Sequence, residues 1–167
     1  LVSVIMVSGS LSLVTIVEGQ SYWWNCFRQP LAFVLFLVCG LAEINRTPFD
    51  MPEAESELAC GFNIEYSSMK FAMFFMAEYA HAISLAALIT CLFLGGWNLP
   101  FGIEVPTLFK FPVFFAKMFV VVFFFIWERG TFPRFRYDQV MKLGWKVLMP
   151  LALANIFVTG VVLTAAA

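Results

Sequence analysis

Apolar residues fall into long runs separated by short polar segments, and several runs have the length of membrane helices. Residues 1–7 read as the tail of a membrane helix, broken by Ser8-Gly9-Ser10, and a loop follows that turns polar at Glu18-Gly19-Gln20-Ser21. Tyr22, Trp23 and Trp24 supply an interfacial aromatic belt, Arg28 and Gln29 sit near the same boundary, and Pro30 is placed to open a helix. The apolar run 31–42 has twelve residues. A span needs about 20, so this run crosses only by using flanking residues such as Phe27 or Ile44. Residues 71–94 are interrupted only by Glu78 and His81, and Gly95-Gly96 ends them. At 1.5 Å per residue they form about 36 Å of helix. Residues 112–127 carry only Lys117, and 147–166 carry no charge. The pattern predicts an all-α, polytopic transmembrane helix bundle of roughly four to five membrane helices, one membrane domain over 1–167.

Between these runs lie two polar segments, 43–70 and 128–146. The first holds Glu43, Asp50, Glu53, Glu55, Glu57 and Glu65 against Arg46 and Lys70, and it cannot lie in lipid. The second holds Arg129, Arg134, Arg136, Lys142 and Lys146, whereas the 95–112 connection holds only Lys110. Cationic loops stay on the cytoplasmic or matrix side, so 128–146 is inside. Two helices separate it from 43–70, which is therefore inside as well. Composition agrees with the pattern: 62% of the 167 residues are hydrophobic and 13% charged, with a mean hydropathy of +0.88, so water could not solvate such a surface. The net charge of −1 says little about partners, but the lack of a Lys/Arg stripe of the kind that neutralises phosphates argues against a nucleic-acid partner.

Within the acidic segment, Asp50-Met51-Pro52-Glu53 carries a capping acid, a first-turn proline and a glutamate three residues on. A short helix is predicted over 51–60, stopped by Gly61, with Glu53 and Glu57 on one face and Glu55 elsewhere. Carboxylates also favour a helix N-terminus and water, which is the plain reading of Glu53 alone. As a set the acids carry more meaning. Like charges crowded where water is scarce raise one another's proton affinity and titrate as a coupled group, suited to taking up and passing on protons. Glu78 lies about two turns inside its helix, where a carboxylate costs roughly 2.5–3.5 kcal/mol on insertion scales. It needs a partner or a wet pocket; a local pair with His81 is one solution and a place in a proton path another. Lys70 and Lys117 lie near predicted helix ends and can snorkel, so neither is assigned a role. The arginines of 128–146 satisfy the topology rule and can also pair with the carboxylates of the other inside loop.

Cys26, Cys39, Cys60 and Cys91 form no C-x-x-C pair and read as small buried hydrophobes, which argues against a zinc, iron–sulfur or disulfide framework. His81 is the single histidine, so a haem held by two histidines of this chain is excluded. There is no phosphate-binding glycine loop, nucleophile elbow or metal-ligand spacing. Any redox centre is expected on another polypeptide. Residues 1–5 begin inside an apolar run without a basic region or cleavage site, so they read as the interior of a larger protein and not as a signal peptide.

The string Leu41-Ala42-Glu43-Ile44-Asn45-Arg46-Thr47-Pro48-Phe49-Asp50, continued by Pro52-Glu53-Ala54-Glu55-Ser56-Glu57-Leu58 and Gly61-Phe62-Asn63-Ile64-Glu65-Tyr66, closely resembles one family. So do Met69-Lys70-Phe71-Ala72 with Glu78-Tyr79, and Pro133-Arg134-Phe135-Arg136-Tyr137-Asp138-Gln139 with Trp145-Lys146. The chain resembles the C-terminal half of a membrane subunit of proton-pumping NADH–quinone oxidoreductase, respiratory complex I: the one at the joint with the peripheral arm, called chain 1 or the H subunit. His81 and Glu128 depart from the family pattern and take no family role.

The resemblance implies that Glu43, Asp50, Glu53, Glu55, Glu57, Glu65 and Glu78 form the proton path that couples to a quinone chamber. Arg46, Arg129, Arg134, Arg136 and Asp138 then support that chamber. It also implies no metal and no cofactor bound by this chain alone, ubiquinone as substrate, and iron–sulfur clusters and FMN on partner subunits. The implied partners are peripheral-arm quinone-module subunits, neighbouring small membrane subunits, a chain supplying the N-terminal half, and membrane lipids. Two alternatives remain at this point: an ion-translocating subunit of a related membrane-bound hydrogenase or antiporter complex, and a structural anchor for the peripheral arm. The 21 phenylalanines and the reading of a divided protein point to the mitochondrial inner membrane, with a bacterial plasma membrane the alternative.

Overall fold

Helices account for the regular structure of the computed structural model, which describes residues 1–44, 48–49, 66–100 and 106–166. In chain order they are α1 (Val2–Ser8), α2 (Leu13–Glu18), α3 (Asn25–Arg28), α4 (Pro30–Glu43), α5 (Met69–Phe93), α6 (Thr107–Thr131), α7 (Tyr137–Leu143) and α8 (Met149–Ala166). A π-turn, Gly144–Leu148, joins α7 to α8, so that 137–165 runs as one helix. Among the described residues three helices, α5, α6 and this fused one, are long and apolar enough to cross a membrane. At 14 residues α4 is shorter, about 21 Å.

The long helices run past the bounds expected from hydropathy. Pro112 sits inside α6, which begins five residues earlier at Thr107 and ends four residues later than the apolar run, at Thr131. As the sixth residue of the helix, Pro112 lies past the four free donors and removes the hydrogen bond to the Leu108 carbonyl, a local loss that transmembrane helices tolerate. Helix resumes at Tyr137, so much of the segment expected as an inside loop is helical. Arg129 stands in the last turn of α6, where a cation suits the helix dipole. The loop expected after Ser10 also contains α2.

Two apolar clusters hold the bundle. Leu41 and Ile44 at the end of α4 join Phe49, Leu85, Ala86 and Ile89 of α5, and Val121 and Phe125 of α6. Val4, Ile16, Ala32, Leu92 and Phe93 form the second, where α1 and α2 meet α4 and the end of α5. In lipid, helix association rests on close packing, which favours small residues at contacts. Gly40 shows this: a Cβ there would lie 2.6 Å from Leu85 Cδ2, so α4 and α5 approach more closely than alanine allows. Outside these clusters the long helices expose rows of phenylalanine, valine and leucine, such as Phe115, Phe119, Phe123, Leu153 and Phe157. That surface is satisfied by lipid or by neighbouring apolar helices.

Candidate functional site

α5 and α6 are antiparallel neighbours, so the start of one lies beside the end of the other. At that end Glu78 of α5 and Arg129 of α6 line one cavity of about 150 Å³, walled by Leu41, Ile44, Ala82, Val122 and Phe125. Glu78 is half-buried and engaged in a polar or ring interaction, as are its neighbour Tyr79 and Arg134. A carboxylate and a guanidinium facing one apolar-walled space are the arrangement that low-dielectric surroundings tolerate. His81 is exposed, and a Glu78–His81 ion pair is not among the interactions of the described residues.

The segments expected on the inside touch next to this cavity, through Pro48, Phe49 and Phe135. The Phe135 backbone N–H donates to the Pro48 carbonyl at 3.1 Å, and the Phe49 and Phe135 rings stand 5.9 Å apart. Phe49 is itself buried among Leu41, Ile44 and Phe125. The chain entering the acidic segment is therefore fastened to the Arg134-Phe135-Arg136 stretch by backbone and aromatic contact. Glu43, the last residue of α4, is exposed at this end, as are Arg129, Arg134, Arg136 and Asp138. Asp138 occupies the first turn of α7, where a carboxylate suits the helix dipole. Arg46, Asp50, Glu53, Glu55, Glu57 and Glu65, and the helix expected over 51–60, lie outside the described residues. Glu128 is half-buried, and its Oε2 accepts no hydrogen bond among the described residues.

The opposite end holds a polar knot that hydropathy did not reveal. Lys117 does not snorkel to an interface: its ammonium donates to the carbonyls of Leu94 at 2.7 Å and Asn98 at 2.5 Å, and stands 4.4 Å from the Trp24 ring centroid. Gln20 belongs to the buried interior and not to a solvated loop. Its Nε2 donates to the carbonyls of Ile16, Cys91 and Leu92 at 3.1–3.2 Å, while Oε1 accepts from Asn25 N–H at 3.1 Å. Asn25 and Asn98 donate in turn to the Leu92 and Val17 carbonyls. Trp24, expected in the aromatic belt, instead packs on Gly95. The physical reason is shared. Carbonyls released where α5 ends must find donors away from water, and amide and ammonium side chains supply them. Gly95-Gly96 immediately after an apolar run was the available signal, since a turn at that depth leaves carbonyls to satisfy. Cys26 and Cys91 are half-buried, as expected of small apolar residues, but Cys39 is exposed on α4; the three are free thiols.

These features define a polytopic helical membrane protein with Glu78, Arg129 and further ionisable side chains at one end of the bundle and a knot of amides and the Lys117 ammonium closing the other. Residues 1–160 match the family model described as NADH dehydrogenase. The chain is 56% identical over 165 residues to an NADH-quinone oxidoreductase H subunit of Geobacter sulfurreducens, covering 98% of this chain and 46% of that protein. It is 54% identical over 163 residues to the NADH-quinone oxidoreductase H subunit of Anoxybacillus flavithermus (96% and 48% covered). To the corresponding H subunit of Paramagnetospirillum magneticum it is 49% identical over 168 residues (99% and 48% covered). The chain belongs to the NADH dehydrogenase family, and it spans about half the length of the curated relatives it matches.

Proposed function

We propose that this chain is the quinone-chamber and coupling part of the membrane subunit of a proton-translocating NADH–quinone oxidoreductase. The observation that carries the reading is the shared cavity of Glu78 and Arg129 at the end of the bundle where the acidic segment begins. Reduction of ubiquinone by electrons arriving from iron–sulfur clusters, and ultimately FMN, on partner subunits creates a demand for two protons near the inside loops. The coupled carboxylates Glu43, Asp50, Glu53, Glu55, Glu57 and Glu65 respond by shifting their shared titration. Glu78 receives the change inside the membrane, and Arg129 offsets its charge. Arg46, Arg134, Arg136 and Asp138 brace the chamber. The chain contributes no redox group of its own, and it works beside the peripheral quinone-module subunits, small membrane subunits and the N-terminal half of its own subunit. The membrane is an energy-conserving one. The relatives named above are bacterial, which favours a plasma membrane over the mitochondrial inner membrane.

The test is replacement of Glu78 or Glu57 by glutamine in the assembled complex, reconstituted in proteoliposomes. Proton uptake per NADH oxidised is expected to fall on the order of tenfold, within the range of 1–3 kcal/mol of coupling free energy, with assembly retained. Normal quinone-coupled pumping in both variants removes them from the path. Loss of assembly with normal turnover of what does assemble identifies an anchor, and insensitivity to a quinone-site inhibitor points to an ion-translocating relative without quinone.

A further inference from the structure

The helix that runs from 137 to 165 is not regular. At Gly144–Leu148 it widens into a π-turn, and the Met149 N–H donates five residues back, to the Gly144 carbonyl. Pro150 follows as the second residue of α8. It has no N–H to offer the Lys146 carbonyl, and its ring needs the space which that carbonyl occupies in an α-helix. The wider turn provides the space. It takes up one residue more than α-helical winding uses, and Trp145, Lys146 and Val147 within it are exposed.

That extra residue decides which way each half of the helix faces. In α7, Val140 and Leu143 pack against the cluster that holds Leu41, Leu85 and Phe125, and Gly144 is half-buried as well. In α8, Ala152, Asn155, Ile156, Thr159 and Gly160 are buried or half-buried, on the side of α1 and α4. At about 100° per residue, a regular α-helix would hold these two sets about 130° apart around its axis, whereas one absorbed residue brings them within about 30°. The orientation of α7 reaches the charged end of the bundle. Gln139 Oε1 accepts from the Arg136 N–H at 3.2 Å, next to the Phe135–Pro48 bond, and Asp138 lies on the same turn.

We propose that the π-turn ahead of Pro150 is a register device for the charged end of the bundle. It absorbs one surplus residue, so that α8 seats on α1 and α4 while α7 seats on the α4–α5–α6 cluster and holds Arg136 and Asp138 in place. The consequence for quinone rests on the chamber function proposed above; the register itself does not.

The test changes the helix by one residue in each direction, in the assembled complex and with Pro150→Ala in both variants, so that either can wind without a π-turn. Deletion of Val147 removes the surplus residue and leaves the two faces aligned; insertion of one alanine after Val147 adds a second surplus residue and parts them. Single cysteines at Val140 and Thr159, in a background with the native thiols replaced, report the faces to a membrane-permeant maleimide. In the deletion variant both are expected to stay shielded, with the parent's quinone KM. In the insertion variant at least one becomes several-fold more reactive, and the quinone KM rises on the order of tenfold, the scale of a displaced positioning group. Failure of the insertion variant alone to assemble supports the register equally. Equal tolerance or equal damage in the two variants, or a damaged deletion variant, overturns it. Increased labelling with an unchanged quinone KM overturns only the link to the chamber.

Discussion

Lys117 shows how a single residue can be misjudged from its place in a run. Its position near the predicted end of an apolar run suggested an aliphatic stem reaching for water, although α6 begins ten residues before it. Instead the ammonium is used inward, on two carbonyls and an indole face, because the α5–α6 corner leaves the Leu94 and Asn98 carbonyls at a depth where water cannot serve them. Lys117→Met keeps the stem and removes the donor. Hydrogen bonds to charged groups contribute about 1.5–3 kcal/mol each, so the variant is expected to unfold several degrees lower, measured as the thermal midpoint in detergent; an unchanged midpoint shows that the corner does not need the ammonium. Glu78 was more legible. An isolated carboxylate two turns into an apolar helix demands company or a pocket whatever the fold, whereas the cavity that Glu78 lines together with Arg129 required the antiparallel pairing of two helices.

Hydropathy located the long helices α5 and α6 and the apolar stretch of the last one, since each buries its backbone polarity internally. It set their ends poorly. Arg129, Asp138, Lys142 and Lys146 were counted as loop because charge ends an apolar run, although charge at a helix end that emerges from lipid does not end the helix. α2 is too short and too mixed to register as a run. Gly95, in contrast, announced a stop that the structure uses fully. It has φ +71°, and an added Cβ would sit 2.7 Å from the Trp24 ring. Gly95→Ala should therefore combine about 1–2 kcal/mol of left-handed backbone strain with about 1–3 kcal/mol of overpacking, read as a lowered unfolding temperature. Gly130→Ala is the control: it lies in the last turn of α6 with nothing within 4 Å of the added methyl, and it is expected to be neutral or to stabilise by up to about 1 kcal/mol.

Across the whole molecule, orientation follows from a handful of cations and the parity of helices between them. Cysteines placed at Ser67 and at Phe132 should react with a membrane-impermeant maleimide from the same side in sealed vesicles, and one at Pro106 from the other. This is to be read in a background with the native thiols replaced; labelling of positions 67 and 106 from one face refutes the topology. The family was legible because its strings crowd into the inside segments, and the charged end of the bundle was legible with it. The amide-lined opposite end was not, since glutamine and asparagine near aromatic residues look the same whether they face water or carbonyls.

The link between Phe135 and Pro48 runs through an amide and a carbonyl that belong to the main chain. Exchanging side chains at either position, short of introducing proline at 135, leaves it whole. A displacement of the start of the carboxylate-rich stretch that keeps this bond intact carries the neighbouring arginines with it, and one that leaves them behind has to break the bond, at about 0.5–1.5 kcal/mol.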